Sequence, residues 1–305
     1  MAKYKYIIYA FSCVFIWSFI PSISRFGQKE MDHFQFLFWS NVLSVLAVFL
    51  VAVMMGKNWK DLIFVPFPVM IKVFILGALD CFFYLLLYYG YSIENGVAVL
   101  VIQYSWPLMI IGLSFFLFKE KLSIKQMIGM AIGFIAVVIT FTQGNITEIS
   151  VQHPQALLLV FSGAFCFALL SVLSKQFAID PYISTFWVFI NSTVVSLIFL
   201  LAFSKFIWPV GDSLMPTVLN GIILNGISYI IWFKAMSSPD SPKIASILFL
   251  SPILSMMWLI LFFGDEFVPA YVVGLVLVII SGILCISAKN KADTQNKLPD
   301  DLIED

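Results

Sequence analysis

Charge is scarce in this chain: Asp, Glu, Lys and Arg make up 11% of its 305 residues, against roughly a quarter in a soluble globular protein. The 17 basic and 17 acidic residues cancel, so nothing in the total draws the chain to nucleic acid or another polyelectrolyte. Histidine is rarer still, and both copies, His33 and His153, fall between apolar runs. With no HExxH pair, no Walker-type glycine loop and no Ser/His/Asp constellation, catalysis has almost nothing to stand on, and no catalytic residue, metal or cofactor is expected. The four cysteines, Cys13, Cys81, Cys166 and Cys285, each lie inside an apolar run and far from one another. That spacing argues against a disulfide framework or a CxxC metal site. Long polar stretches are missing too. The widest gaps between apolar runs, Gly56 to Val69 and Thr142 to Gln155, are about 14 residues, too short for an extramembrane domain.

What is there is apolar: 61% hydrophobic residues and a mean hydropathy of +1.01. Such a chain is an all-α polytopic membrane protein whose first partner is the lipid bilayer. Runs long enough to cross hydrocarbon cover Tyr6 to Ser24, Gln35 to Met55, Met70 to Tyr91, Gly96 to Phe118, Ile124 to Phe141, Gln155 to Ser174, Ser184 to Ser204, Met215 to Met236, Ile244 to Phe263 and Pro269 to Ser287. They predict ten transmembrane helices. A barrel would alternate apolar and polar over about 10 residues, whereas Leu43 to Met55 and Val272 to Ile286 are apolar on every side. The basic start before Tyr6 resembles a signal peptide, but no small-x-small cleavage site follows, so it reads as an uncleaved first helix.

Lysine and arginine in the loops orient the bundle. With the N-terminus inside, fourteen basic residues (Lys3, Lys5, Lys57, Lys60, Lys72, Lys119, Lys121, Lys125, Lys175, Lys234, Lys243, Lys289, Lys291 and Lys297) face the cytoplasm and three (Arg25, Lys29 and Lys205) face outside. Both termini are therefore expected in the cytoplasm. The mixed-charge tail, residues 289–305, has too few apolar residues to pack and reads as disordered.

An internal repeat lies inside the apolar runs. At an offset of 150, Phe11, Ser12, Phe15, Ser24 and Arg25 fall on Phe161, Ser162, Phe165, Ser174 and Lys175. At 148, Asp32, Phe38 and Trp39 fall on Asp180, Phe186 and Trp187. At 145, Tyr84, Ile102, Pro107, Phe118, Glu120 and Gly129 fall on Tyr229, Ile247, Pro252, Phe263, Asp265 and Gly274. The units are residues 1–145 and 151–288. Five spans per unit is an odd number, so the second unit must be inverted in the membrane. Arg25 outside and Lys175 inside agree with that. Two inverted repeats around a central site are a recurring plan of secondary transporters.

Asp80 sits near the middle of the third span, where an ionisable group costs a few kcal/mol and should face the bundle interior or a cavity. It is either a proton-coupling site or a contact for a substrate ammonium, or else a neutral acid hydrogen-bonded to a neighbouring helix. Its repeat mate is Asn225. In the fourth span Gln103, Tyr104, Ser105 and Trp106 precede Pro107, and the ninth span carries Ser251 before Pro252. Each proline removes a backbone hydrogen bond, and matched kinks at matched depth point to the repeat interface. Tyr84, Tyr88, Trp106, Tyr229 and Trp232 share helices with these residues. Tyr84 lies one turn from Asp80 and Tyr229 one turn from Asn225. Gly129 with Gly133, and Gly274 with Gly282, suit close helix packing.

Trp17–Ser18, Pro107 with Glu120 and Gly129, and Pro252 with Asp265–Glu266 and Gly274 resemble the drug/metabolite transporter superfamily, specifically its EamA-type exporters, over residues 5–288. Tyr104-Ser105-Trp106-Pro107 is similar to the Tyr-x-Trp-Pro segment of the bacterial aromatic amino-acid exporter subgroup. The resemblance implies a carrier of the bacterial inner (cytoplasmic) membrane whose central cavity is lined by helices other than the fifth and tenth, moving a small metabolite outward on its own gradient or in exchange for protons. Trp17, Asp80, Tyr84, Gln103, Tyr104, Trp106, Asn225, Tyr229, Trp232 and Ser251 are the expected cavity residues, with Pro107 and Pro252 as kinks. The expected function is export of amino acids or related small metabolites by alternating access, as a monomer or homodimer. Import or exchange of another metabolite, such as one derived from nucleotides, is the alternative. No Lys or Arg lies near mid-span for a large anion. A membrane enzyme or receptor would need clustered His, Asp or Glu at one face, or a large loop.

Overall fold

The computed structural model describes residues 2–94, 96–118, 123–145, 147, 152–264 and 267–287. Among them lie nine helical runs long and apolar enough to cross a membrane and a shorter apolar helix, completing the ten spans. The tail 289–305, and Glu120, Asp265 and Glu266 of the family-like motifs, lie outside the described residues, as does the side chain of Tyr88.

Four of the spans are interrupted. The first is α1 (Ala2–Trp17) followed by α2 (Ile20–Gly27). Pro21 has no N–H to offer one turn back, and the chain steps through Ser18–Phe19 before resuming. The second span is α3 (His33–Met54), capped by the Asp32 carboxylate on the Gln35 amide at 3.0 Å. A short α4 (Trp59–Ile63) lies in the loop before the third span, the 27-residue α5 (Phe67–Ile93). The fourth span is α6 (Gly96–Gln103) and α7 (Trp106–Phe118), broken at Tyr104–Ser105. The fifth is α8 (Ile124–Phe141), opened by a Ser123/Gln126 capping box. In the second half α9 (Pro154–Phe177) and α10 (Pro181–Phe203) are unbroken. The eighth span is α11 (Leu214–Leu219), a π-helical stretch over Asn220–Ile227 and α12 (Ser228–Met236). The ninth breaks between α13 (Ser241–Ile247) and α14 (Leu250–Phe263), and α15 (Pro269–Ser287) closes the fold. The fourth and ninth spans break just ahead of Pro107 and Pro252 and the first just ahead of Pro21, whereas the eighth departs from α-helix in a π-helical stretch that contains no proline.

Contacts recur with the two halves exchanged. The Trp39 indole N–H donates to the Ile207 carbonyl in the loop after the seventh span, and that of Trp187 to the Leu62 carbonyl after the second, both at 2.8 Å. Asp32 accepts from Ser204 on one side, while Asp180 pairs with Lys57 at 2.7 Å on the other. The Arg25 guanidinium lies 4.1 Å from the Phe263 ring and the Lys175 ammonium 4.8 Å from that of Phe118. Arg25/Lys175 and Phe118/Phe263 are both repeat-related pairs, so each half sets a cation against the fourth helix of the other.

The buried seams are polar and small, because lipid supplies no hydrophobic drive between helices. At Gly77 an added Cβ would sit 2.5 Å from the Asn191 Cβ and 3.1 Å from the Val188 carbonyl. At Gly221 it would sit 2.6 Å from the Leu43 Cβ and from the Ser40 carbonyl. Ser192 donates to the Gly77 carbonyl at 3.3 Å and Ser44 to the Gly221 carbonyl at 2.8 Å. These residues match at offsets of 148 and 144. Beyond the π-helical stretch, Tyr84 and Tyr229 match at 145. The π stretch therefore holds one extra residue, which i→i+5 bonding accommodates. At the periphery α8 packs on α15, with Gly129 against Ser281 and Cys285 and Gly274 against Thr140. Gly282 faces open space, so its expected packing role is absent.

Candidate functional site

A cavity of about 470 Å³ lies between the halves, within the size range of small-molecule sites. Its lining comes from spans one to four, six, eight and nine, and none of it from the fifth or tenth. Ile20 and Pro21 belong to its wall, so the break in the first span shapes it. It runs from Trp17 at mid-span to Arg25, Gln28 and His33 at the loop after the first span, away from the end where α1 begins.

Four repeat-related pairs line it: Trp17 with Phe167, Tyr84 with Tyr229, Gln103 with Leu248 and Trp106 with Ser251. The last two pair a polar residue with an apolar one, which gives the cavity a polar flank. Gln103, Tyr104 and Ser251 form that flank, with the Tyr104 hydroxyl 3.5 Å from the Ser251 hydroxyl. The broken fourth and ninth helices place it. Ser105 turns its hydroxyl back onto the Ile102 carbonyl at 2.7 Å, and Trp106 and Ser251 stand just before the buried Pro107 and Pro252, which do not line the wall.

The rest of the lining is largely aromatic. The Trp17 ring lies 5.9 Å from Phe167, 6.1 Å from Tyr229 and 6.3 Å from Trp106, each edge to face. Such pairs add roughly 0.5–1.5 kcal/mol each beyond burial. Trp17 is held by its indole N–H, 2.7 Å from the Ser228 hydroxyl and 3.2 Å from the Leu224 carbonyl of the π stretch. Trp232 stands behind this wall, 5.3 Å from Trp17, with its own N–H on the Ser171 hydroxyl at 3.0 Å.

Asp80 is fully buried and does not touch the cavity directly. One carboxylate oxygen accepts from the Tyr229 hydroxyl at 2.6 Å and the other from Ser192 at 2.8 Å. Asn225 is buried within the π stretch, away from the wall. Of the sequence-derived residues, Trp17, Tyr84, Gln103, Tyr104, Trp106, Tyr229 and Ser251 come together on the wall, while Asp80, Asn225 and Trp232 stand behind it. Phe83, Phe167, Leu248 and the mouth residues Arg25, Gln28 and His33 were not anticipated. Applying the repeat offsets to Trp17 and Gln103 would have found Phe167 and Leu248. Among the described residues no group of three His, Cys, Asp or Glu side chains is placed to hold a metal.

The model of the EamA-like transporter family matches residues 4–142 and again 154–288. The chain belongs to the EamA-like transporter family. Three bacterial relatives are similar to it. It is 27% identical to the uncharacterized transporter YyaM of Bacillus subtilis, over 70% of this chain and 72% of that protein. It is also 27% identical to the protein PecM of Dickeya dadantii, over 79% and 82%. Identity to the aromatic amino acid exporter YddG of Ancylobacter novellus is 24%, over 52% and 56%. A crystal structure 19% identical in sequence superposes with a TM-score of 0.79, covering 91% of this chain and 94% of the other, and shares the fold. This EamA-family chain is a bacterial membrane protein of ten helical spans in two inverted repeats.

Proposed function

We propose that this EamA-family protein is a secondary transporter that exports amino acids or related small metabolites across the cytoplasmic membrane by alternating access, and is not an enzyme. The carrying observation is the cavity between the inverted halves, with a largely aromatic lining and an amide-and-hydroxyl flank. An aromatic wall takes an apolar or aromatic side chain, and Gln103, Tyr104 and Ser251 offer donors and acceptors to a zwitterionic end. The name of the Ancylobacter relative supports the aromatic part of this reading. The lysine distribution supports termini in the cytoplasm, and in that orientation the cavity faces outward. Trp17, Tyr84, Gln103, Tyr104, Trp106, Tyr229 and Ser251 contact the solute, and Asp80 acts from behind Tyr229.

Counterflow into proteoliposomes with a panel of labelled amino acids tests the substrate class. Saturable flux of aromatic or branched apolar amino acids is expected, and no saturable flux for any amino acid sinks it. Import or exchange of another metabolite then becomes the reading to pursue, with Arg25 at the mouth as the group to follow. Accessibility of single cysteines placed at Gln28 and Ser237 tests orientation: labelling of Gln28→Cys from outside and of Ser237→Cys from inside is expected, and the reverse overturns it.

A further inference from the structure

Asp80 is the one acidic side chain buried at mid-membrane among the described residues, and it has no cation partner there. Its two neighbours are hydroxyls, Tyr229 and Ser192. Tyr229 and its repeat mate Tyr84 both form part of the cavity wall. We propose that Asp80, through Tyr229, is a proton-controlled switch of the hydrogen-bonding polarity that the cavity presents to its solute.

A tyrosine hydroxyl has one hydrogen to donate and lone pairs to accept with, while an ionised carboxylate only accepts. When Asp80 is ionised, Tyr229 must give its single proton to the carboxylate. Its oxygen is then an acceptor toward the cavity, suited to a solute ammonium. When one proton from the bulk reaches Asp80, relayed through the Tyr229 hydroxyl that separates it from the cavity, its charge goes from minus one to zero and its new O–H donates to the Tyr229 oxygen. The Tyr229 hydrogen is released and turns toward the cavity, where it suits a solute carboxylate. One proton is gained, no other bond is made or broken, and the wall changes from acceptor to donor.

Arg25 and His33 lie at the mouth of the same cavity, while Asp80 itself is met by the hydroxyls of Tyr229 and Ser192. On α5 the nearest titratable groups are Cys81 and Tyr84; on α9 it is Cys166, and on α12 Tyr229 itself. Residues 96–103 carry no titratable side chain, and on α10 the only one is Tyr182, at its start. Lys234 lies more than a turn beyond Tyr229 and bonds the Tyr182 hydroxyl at 2.8 Å. Lys72, two turns before Asp80, lies over the Phe177 ring at 5.4 Å, and Lys175 is at the end of α9.

The proposal rests on the reading that the cavity takes a solute with cationic and anionic ends, and the test separates the two ideas. On the ligand-free full-length protein in nanodiscs, pH-difference infrared spectra from about pH 5 to pH 9 should show a carboxylic-acid carbonyl band that is absent in Asp80→Asn. A phenol band absent in Tyr229→Phe should shift at the same pH. A carboxyl band without a phenol shift, or no Asp80 band in that range, overturns the switch whatever the substrate. Ser192→Ala should move the pH of the coupled change and keeps the test open should Asp80→Asn fail to fold. Binding of phenethylamine and of phenylmethanesulfonate, whose charges stay constant over this range, should shift in relative affinity by roughly tenfold, with the amine favoured at high pH and the sulfonate at low pH. In Asp80→Asn this dependence should vanish; its persistence there, or its absence from the wild type, overturns the proposal. Coupled infrared bands with no binding of these probes or of any amino acid would sustain the switch and reject the substrate class.

Discussion

At Gly77 the first half brings α5 against α10, with Ser192 donating to the glycine carbonyl; at Gly221 the second half brings its eighth span against α3, with Ser44 donating to the glycine carbonyl. Only a hydrogen fits at either crossing. One turn on, the two diverge. α5 continues unbroken and carries Asp80, which draws both Ser192 and Tyr229 to its carboxylate. The second half inserts a residue, goes π-helical, and turns the Leu224 carbonyl and the Ser228 hydroxyl onto Trp17. The packing was kept in duplicate and the chemistry was divided: one half supplies the titratable group, the other the altered helix that aims Trp17 and Tyr229 into the cavity.

The comparison breaks most sharply if the extra residue is removed. Deleting Ile223 should return the stretch to α-helix with Tyr229 in register with Gly221, as Tyr84 is with Gly77 on α5, and withdraw the Leu224 carbonyl and the Ser228 hydroxyl from the Trp17 indole N–H. Transport should fall to background while the protein still elutes as a folded species on size-exclusion chromatography. Deleting Ile75 from α5, which has no insertion to lose, should instead prevent folding. Next, Gly77→Leu and Gly221→Leu should destabilise alike, by roughly 3 kcal/mol or more, read as lost thermal stability in detergent; tolerance of one alone would show that the crossings are not equivalent. On the cavity wall Trp17→Ala should cost more affinity than Phe167→Ala, because it also removes the indole N–H bonds that tie α1 to the Ser228 hydroxyl and the Leu224 carbonyl. A difference of roughly tenfold in counterflow half-saturation is expected. Asn225→Ala, behind the wall, should lower stability by about 1 kcal/mol and leave half-saturation within a factor of two.

The smallest effect is expected at the loop faces. Lys57 is held above the ordinary lysine range by its hydrogen bond to Asp180, against a little desolvation. A raised folded value means that its contribution is complete below the unfolded lysine value and is lost only as pH rises through the folded one. No change in thermal midpoint is therefore expected from Lys57 between pH 6 and 8, with a decline only in strongly alkaline buffer. Lys57→Gln should cost roughly 0.2–1 kcal/mol, since the pair is partly exposed.

Most of the fold was legible because its causes are local. Twenty-residue apolar runs must become helices in hydrocarbon, where every backbone group needs an internal partner. Pro107 and Pro252 announce the breaks in spans four and nine through the N–H each lacks. Pro21 carries the same message for the first span, yet it sits so near the loop that the run reads as continuous. The site was half legible. Trp17, Tyr84, Gln103, Tyr104, Trp106, Tyr229 and Ser251 stand out as polar or aromatic groups on helices with kinks or a buried acid. Phe167 and Leu248 look like ordinary apolar bulk, and Arg25 and His33 like ordinary loop residues; nothing in their own neighbourhoods sets them apart.

The sequence by itself determined the ten spans, the inverted repeat with its downward-drifting offsets, and the solitary acid at mid-membrane. Each of these follows from side-chain partitioning and chain parity. The tertiary structure decided that Asp80 stands behind the cavity rather than in it, and that the offset steps from 144 back to 145 through a π-helical insertion. Whether an extra residue is absorbed within a helix or pushed into a loop depends on what holds the helix on either side. Here the Gly221 crossing with α3 and the Tyr229 bond to Asp80 hold both ends, leaving the turn between them as the only place for the extra residue.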